Sequence, residues 1–540
     1  MSVQYNGVTV KKSAVRTFGW VIAVLGLAIS LTKTPCVANE ENDAPPNIIV
    51  FLVDDLGWQD SSVAFSGKKT VFQEHFRTPH LEQLARRGVR LTKAYAHCVC
   101  SPTRTSILTG QNPARHRVTN WTLYPDRDSS GKSTELKAPT AWRKEGLQPG
   151  DVTLPQLLKR AGYQTIHCGK AHWGAMGTAG SDPCQLGFDI NIAGHSAGGP
   201  GSYQGTENYG NQPDGTPKEP WGVPGLEKYH GTSTHLTDAL TLEACAALDA
   251  AIDVKQPFFL YMAPYAVHAP IQPHPRFIDH YLNQTYSSNG RAIPQAEAHY
   301  ASMVEGYDAA VGALMAKLRD RNVADQTIML FTSDNGGLSV HGRDTTPNGT
   351  GKNTHNWPLR EGKGSAYEGG IRVPAIISWI TPDRGSRMQK RIPISGNSTC
   401  ATPFISEDIF PTVCRWAQID GEGQVTSTID GQDITDRLGT QNESDDRPFL
   451  FHYPHVWGPR GDGYQPHSSL RIGDWKVIYF YEPARWELYN LKEDRGEANN
   501  LAELEPDRLA KMKSRLISEL KHHNAQYPME IGSGQPRRPQ

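Results

Sequence analysis

"NIIVFLVDDLGW", residues 47–58, decides the fold. Ile48 to Val53 is an unbroken apolar run rich in β-branched residues. A strand with no polar alternation must be buried on both faces, and a sheet with helices on either side provides that burial. The run stops at two adjacent aspartates, Asp54 and Asp55. The same grammar recurs three times. "PFFLYMAPYAVHAP" (257–270) ends a strand near Ala263 and reaches His268. "TIMLFTSDNGG" (327–337) ends one at Ser333 and reaches Asp334 and Asn335, and "YQTIHCGKAHWG" (163–174) runs into Lys170 and His172. Helical patterns separate these runs at 78–88, 154–162, 235–252 and 298–320. The alternation predicts an α/β fold, a large mixed but mostly parallel sheet with helices on both faces. In such sheets ligands bind beyond the carboxyl ends of the strands, where all these polar residues fall.

The chain has 540 residues, with 55 Lys+Arg against 56 Asp+Glu. This balance gives no global attraction to nucleic acid or to an acidic membrane, so any charge-driven function must rest on local clusters. Lys11, Lys12 and Arg16 precede the apolar run "FGWVIAVLGLAISL" (18–31), and "CVANE" (36–40) supplies a small-residue cleavage site after Ala38. Residues 1–38 therefore read as a signal peptide, and the protein as exported to the periplasm or beyond, with no stable membrane association after cleavage. A catalytic domain is expected over 44–440. A composition break at "GTQNESDDRP" (439–448) leads to a C-terminal subdomain over 447–528, with an antiparallel meander and a helix at about 506–524. The tail, 529–540, reads as disordered. The eight cysteines match no zinc module, and their pairing in an exported chain stays open.

Adjacent aspartates at a strand end are costly unless something positive sits beside them. Asp54, Asp55, Asp334 and Asn335 offer only oxygen, which suits a hard divalent cation, Ca²⁺ or Mg²⁺. "DD" and "DNGG" are each common turn pieces; both ending buried strands is what favours a metal. "CVCSPTRTSILTG" (98–110) puts Cys100 at the head of a helix, with Pro102 suited to its first position. Free N–H groups there favour an anion and should lower the thiol pKa, and Arg104, one turn in, could face the same spot. From the residues alone Cys100 can be an ordinary buried thiol, half of a disulfide, a nucleophile with a histidine base, or a precursor. Lys170, His172, His268 and Lys363, the last in "PLREGKGSAYEGGIRVP" (358–374), add positive or proton-carrying groups around one anionic ester.

Taken together, the sequence resembles the type I, formylglycine-dependent sulfatases of the alkaline-phosphatase-like superfamily. "CSPTRTSILTG" matches the family's defining motif, in which Cys-x-Pro-x-Arg directs oxidation of the cysteine to formylglycine. "GYQTIHCGKAHWG", "NIIVFLVDDLGW", "FTSDNGG", "PLREGKGSAYEGGIRVP", "EDIFPTV" and "IDGQDI" follow in agreement. Two departures spare the reacting groups: Cys98 replaces a small residue, and Ala171 replaces an aromatic, with Trp173 placed after the histidine. The resemblance implies that the Cys100 aldehyde hydrates to a diol. One diol oxygen attacks sulfur and the alcohol leaves. The second hydroxyl then loses its proton and expels sulfate. It implies that Asp54, Asp55, Asp334, Asn335 and residue 100 hold Ca²⁺, with Mg²⁺ as the second choice. It further implies that Arg104 holds the hydrate, Lys170 and Lys363 bind sulfate oxygens, His172 assists the second step, and His268 or Lys363 protonates the alcohol. A formylglycine-generating enzyme is the implied maturation partner.

For the leaving group, three loops carry suitable residues: His195 and Tyr203; His355, Asn356, Arg360 and Trp357; and His452, His455, Trp457, Arg460, Tyr464 and His467. These suggest an exo-acting enzyme on a sulfated glycan. The alternatives are a phosphatase or phosphonate hydrolase on the same fold, and a silent sulfated-glycan-binding protein in which Cys100 stays a thiol.

Overall fold

The computed structural model describes residues 44–287, 289–339, 355–419, 428–438, 446–457 and 461–540. The expected signal peptide, Arg460 and most of the expected domain boundary lie outside them. Among the described residues, no helix is long and apolar enough to cross a membrane.

An eight-stranded sheet forms the centre. Its order is Ser398–Cys400, Val89–Leu91, Ala375–Trp379, Thr327–Ser333, Asn47–Val53, Phe258–Ala263, Gln164–Gly169 and Ile190–Ile192. Every neighbouring pair is parallel except those made by Ala375–Trp379, which runs antiparallel to both its neighbours. The sheet is therefore mixed and mostly parallel, as the uninterrupted apolar runs require.

The Asn47–Val53 strand lies centrally, and all seven of its residues are buried. Its side chains alternate between two cores. Ile49, Phe51 and Val53 meet the helices Pro79–Arg87, Leu236–Asp253 and Gln295–Asp320. Ile48, Val50 and Leu52 meet Cys100–Thr109, Leu154–Arg160 and Ile409–Trp416. Burying each such side chain contributes about 1.5–3 kcal/mol, so the strand that carries the aspartates is among the most firmly held parts of the sheet.

The C-terminal part is a four-stranded antiparallel sheet, Phe449–Tyr453, His467–Ile472, Trp475–Tyr481 and Ala484–Asn490, packed on the helix Pro506–His522. It is fastened to the rest by buried charge. Lys476 Nζ lies 3.2 Å from Glu368 Oε1 and 2.8 Å from Glu497 Oε1, and Arg447 pairs with Asp408 at 2.6 Å. The tail departs from the expectation of disorder. Met529–Glu530 pairs with Leu136–Lys137, Arg537 bonds Glu530 and Glu135 at 3.0 and 2.9 Å, and Trp486 Nε1 donates to the Gln540 carbonyl. A polar composition suggested solvation, but the arginines of this tail have partners waiting on the domain surface.

Candidate active site

Strand register assembles the site. Val53 pairs with Ser333, and Gly169 with Ala263. The residues that follow Val53, Ser333 and Gly169 are therefore Asp54, Asp334 and Lys170, all at the carboxyl end of the sheet, with the Phe258–Ala263 strand between those of Asp54 and Lys170. Asp55 follows with φ 60°, and its N–H donates to Asp334 Oδ1 at 3.1 Å. The Lys170 ammonium donates to both oxygens of Asp54, at 2.8 and 2.7 Å. Lys363 reaches Asp55 Oδ1 at 2.6 Å and Oδ2 at 2.9 Å. Arg104 donates from Nε to Asp334 Oδ2 at 2.8 Å and from Nη1 to the Lys170 carbonyl at 2.7 Å, while Nη2 lies 3.8 Å from Asp54. The guanidinium is wholly buried and does not line the cleft. It braces the carboxylates, and its Nη2 is buried with no hydrogen-bond partner.

Cys100 opens the helix Cys100–Thr109, with Val99 as its extended N-cap. The helix thus starts two residues earlier than expected, and Pro102 occupies its third position. The absent N–H costs nothing there, because the first N–H groups of a helix have no internal partner. All ten residues are buried, and two of the hydroxyls hold neighbouring backbone: Thr103 accepts from the His97 N–H, and Ser101 from that of Thr122. Gly110 closes the helix at φ 67°, its N–H donating to Ser106 O at 2.8 Å. The expected lowering of the thiol pKa is overturned. Burial pushes the Cys100 thiol up to about 11, against the pull of Lys170 and Lys363. A neutral thiol is a poor nucleophile, so the site does not favour the cysteine-nucleophile reading. Cys98, Cys100, Cys168, Cys184, Cys245, Cys400 and Cys414 are all free thiols.

The oxygen donors fit a divalent cation. Ligand atoms of Asp54, Asp55 and Cys100 lie within 4.8 Å of one another. Asn335 Nδ2 donates to Asp55 Oδ1 at 2.8 Å and to the Gly336 carbonyl, which leaves Oδ1 buried with no hydrogen-bond partner. An orphaned amide oxygen beside carboxylates is a ligand in waiting. Burial, with the repulsion of Asp334 and Asp55, raises the Asp54 pKa well above the carboxylate range. Asp55 and Asp334 are also pushed up by burial, but Lys363 and Arg104 respectively head the charges that carry them below it. With a cation favouring the ionised form of Asp54, the carboxylates of Asp54, Asp55 and Asp334 are matched one for one by Arg104, Lys170 and Lys363. A dication therefore leaves an excess of two positive charges, enough to balance a bound sulfate dianion.

The two histidines are held neutral. Burial, with Lys170 and Arg104, drives His172 well below its ordinary value; its Nε2 meets the Thr122 carbonyl at 2.9 Å, and Nδ1 has no hydrogen-bond partner. Burial and Lys363 bring His268 down to about 3; its Nδ1 meets the Ala269 carbonyl at 2.7 Å, and Nε2 lies 3.7 Å from Asp55 Oδ2. Asp55, Cys100, His172, His268 and Lys363 share one cleft of about 260 Å³.

Among the described residues expected to read the leaving group, only Trp457 lines that cleft. His452 is fixed between Ser468 and the Gln526 carbonyl, and His455 between Thr119 and Ser130. His467 bonds the Gln465 carbonyl and packs on Tyr453 and Phe480. Arg360 stacks on Tyr367 and donates to the Glu497 carbonyl, His195 lies against Tyr265, and His355 is fully buried. Tyr203 bonds the Tyr265 and His268 carbonyls, Tyr464 bonds Glu361, and Trp357 stacks on Phe72. What sequence reasoning missed is Trp121, Trp221 and the pair Gly198–Gly199. Trp121 and Trp221 line the cleft; a methyl group at Gly198 would sit 2.6 Å from His172 Cε1, and one at Gly199 2.7 Å from His268 Nδ1. The available signal was the glycine density of "GHSAGGPGS", a call for close backbone approach.

A family model described as Sulfatase matches residues 46–419. The chain belongs to the sulfatase family. A protein named "Sulfatase" from Formosa agariphila is 30% identical, over 93% of this chain and 94% of its own. An N-acetylgalactosamine-6-O-sulfatase from Bacteroides thetaiotaomicron is 27% identical, over 89% and 94%. Among solved structures, Ps i-CgsB in complex with k-i-k-neocarrahexaose superposes with a TM-score of 0.66 at 25% identity, covering 89% of this chain and 95% of that one. This sulfatase is thus a sulfuric ester hydrolase on an alkaline-phosphatase-like fold, of a family that generally uses formylglycine and a divalent metal.

Proposed function

We propose that this sulfatase removes a terminal sulfate ester from a sulfated carbohydrate, through formylglycine made from Cys100 and Ca²⁺ held by Asp54, Asp55, Asp334 and Asn335. The observation that carries the reading is the meeting of Cys100, four oxygen donors and two lysine amines at the carboxyl end of one sheet. When present, the aldehyde hydrate supplies the nucleophile and the cation the charge that favours its attack.

The chain's own groups do the rest. Lys170 and Lys363 offset the charge on sulfate oxygens. His172, neutral and with Nδ1 uncommitted, can take the proton that must leave residue 100 before sulfate is expelled. Lys363, kept protonated by Asp55 against the opposing effect of burial, is the donor within reach of the departing alcohol; His268, neutral with its Nδ1–H on the Ala269 carbonyl, would serve there only after taking up a proton at Nε2, 3.7 Å from Asp55 Oδ2. Exo action is supported by size: about 260 Å³ is below the roughly 300–1,000 Å³ of drug-sized pockets, room for one ring at a chain end. Two carbohydrate-linked relatives, an N-acetylgalactosamine-6-O-sulfatase by name and a structure holding neocarrahexaose, support the substrate class. Export through residues 1–38, with maturation by a formylglycine-generating enzyme, completes the proposal.

The test pairs mass spectrometry of the Cys100 peptide from native-source protein with sulfate release. A peptide carrying the aldehyde, and a Cys100→Ala variant that folds but releases no sulfate, are expected. An active Cys100→Ala enzyme overturns the scheme.

A further inference from the structure

We propose that Trp121, Trp221 and Trp457 form the wall that selects the alcohol half of the ester, and that they select a ring with a flat apolar face and no charge beyond the sulfate being removed. The proposal rests on the sulfatase reading above. The lining of the cleft is of two chemical kinds. Its charged and proton-carrying groups, Asp55, Lys363, His172 and His268, sit with Cys100 at the sulfate end. The rest of the described lining is the three indoles with small or aliphatic neighbours such as Val99, Ala269 and Leu338. An indole face packs on the C–H face of a sugar or on an aryl ring and offers no counter-charge. A second sulfate or a carboxylate on the leaving ring would give up water there and gain no ionic partner from the described wall.

Each indole is built into backbone that also holds a group at the sulfate end. Trp121 precedes Thr122, whose carbonyl bonds His172 Nε2 and whose N–H donates to Ser101 beside Cys100. The ring of Trp457 lies directly over Gly364, next to Lys363, and Gly364 N–H donates to the Cys98 carbonyl at 2.7 Å. The Trp221 carbonyl accepts from Gly201 N–H at 2.7 Å, in the loop whose Gly198 and Gly199 press on His172 and His268. Trp221 remains 44% exposed, a large apolar face left open at the cleft. An apolar surface carried on the same backbone as the reacting groups is a preorganised platform. A neutral sugar and an aryl alcohol both meet this description, so the experiment separates them.

The mature, full-length enzyme is assayed on galactose monosulfates of each position, on 4-nitrophenyl sulfate and on glucosamine 2-N,6-O-disulfate. The proposal expects kcat/KM on the best singly charged ester to exceed that on the disulfate by at least about tenfold. A galactose monosulfate ranking first identifies a sugar platform, and 4-nitrophenyl sulfate ranking first an aryl one. Trp221→Ala and Trp121→Ala should raise KM for that best ester by about fivefold or more, with inhibition by inorganic sulfate shifted less than about twofold. Preference for the disulfate, or unchanged KM in both variants, overturns the wall. Absence of turnover on every ester overturns the hydrolytic reading instead. Calorimetry of the same esters then decides the wall: binding weakened about fivefold in Trp221→Ala supports it, and equal binding overturns it.

Discussion

Arg104 donates from Nε to Asp334 Oδ2 at 2.8 Å, and both side chains are wholly without solvent contact. The pair joins the Cys100 helix to the strand end that carries the oxygen donors. Removing one partner strands a buried charge, at a cost of about 3–5 kcal/mol. Arg104→Ala should therefore lower stability by that order, read as a shift of the denaturant midpoint, and abolish sulfate release as Asp54 and Asp334 lose their brace. A variant with wild-type stability would show that Arg104 faces a ligand and not the fold.

Much of this was legible in the sequence, for reasons that differ by residue. Asp54, Asp334 and Lys170 could be placed because a buried strand must end abruptly and parallel neighbours end together. Cys100 and Lys363 came from motif resemblance, since nothing in a cysteine at a helix start distinguishes a precursor from a packed thiol. The histidines of the C-terminal segment misled. His452 and His455 have both ring nitrogens tied to partners within the fold, which composition cannot reveal. Trp121 and Trp221 were invisible because their convergence depends on loops, whose paths no periodicity encodes.

Metal binding should be visible without turnover. Asn335 Oδ1 and Asp54 are both left unfavourably placed by burial among carboxylates. Ca²⁺ added to chelator-treated protein should raise the melting temperature, since a ligand at 100 times its Kd stabilises by about 2.7 kcal/mol. Asp54→Asn should blunt the response, and Mg²⁺ should give a smaller one. A melting temperature indifferent to both ions would remove the cation from the proposal.

The C-terminal helix is tied down by a titrating pair. His523 Nε2 lies 3.4 Å from Asp430 Oδ1, and Asp430 also holds Arg115 and the Asn112 N–H. Burial alone would lower the His523 pKa, but its bond to Asp430 outweighs that and raises it above 6.5. Burial likewise works to raise Asp430, yet His523 and Arg115 bring it down to about 2. The histidine's contribution is complete below its unfolded pKa and is lost as pH rises through the folded one. That of the aspartate is complete above its unfolded pKa and is lost as pH falls toward about 2. The stability gap between wild type and His523→Gln should therefore be widest from about pH 4 to 6.5 and narrow on either side. Chemical denaturation across that range measures it, and a gap independent of pH would deny the pair any role.

Gly198 and Gly199 press on the two imidazoles proposed to handle protons. Methyl groups there would stand 2.6 Å from His172 Cε1 and 2.7 Å from His268 Nδ1, closer than carbon side chains are found. Neither glycine has a positive φ, so alanine meets no backbone strain at either position and acts only through the displaced ring. Both rings have somewhere to move, because they border the cleft. Gly198→Ala should therefore fold, bind inorganic sulfate nearly as wild type through Lys170 and Lys363, and lose about 10²-fold in kcat, the scale expected when a catalytic group is misplaced by about 1 Å. Gly199→Ala should do the same through His268, with the larger loss on esters of poor leaving alcohols, where protonation of the departing oxygen matters most. Equal losses on good and poor leaving groups would move His268 out of proton donation and leave Lys363 alone in that role.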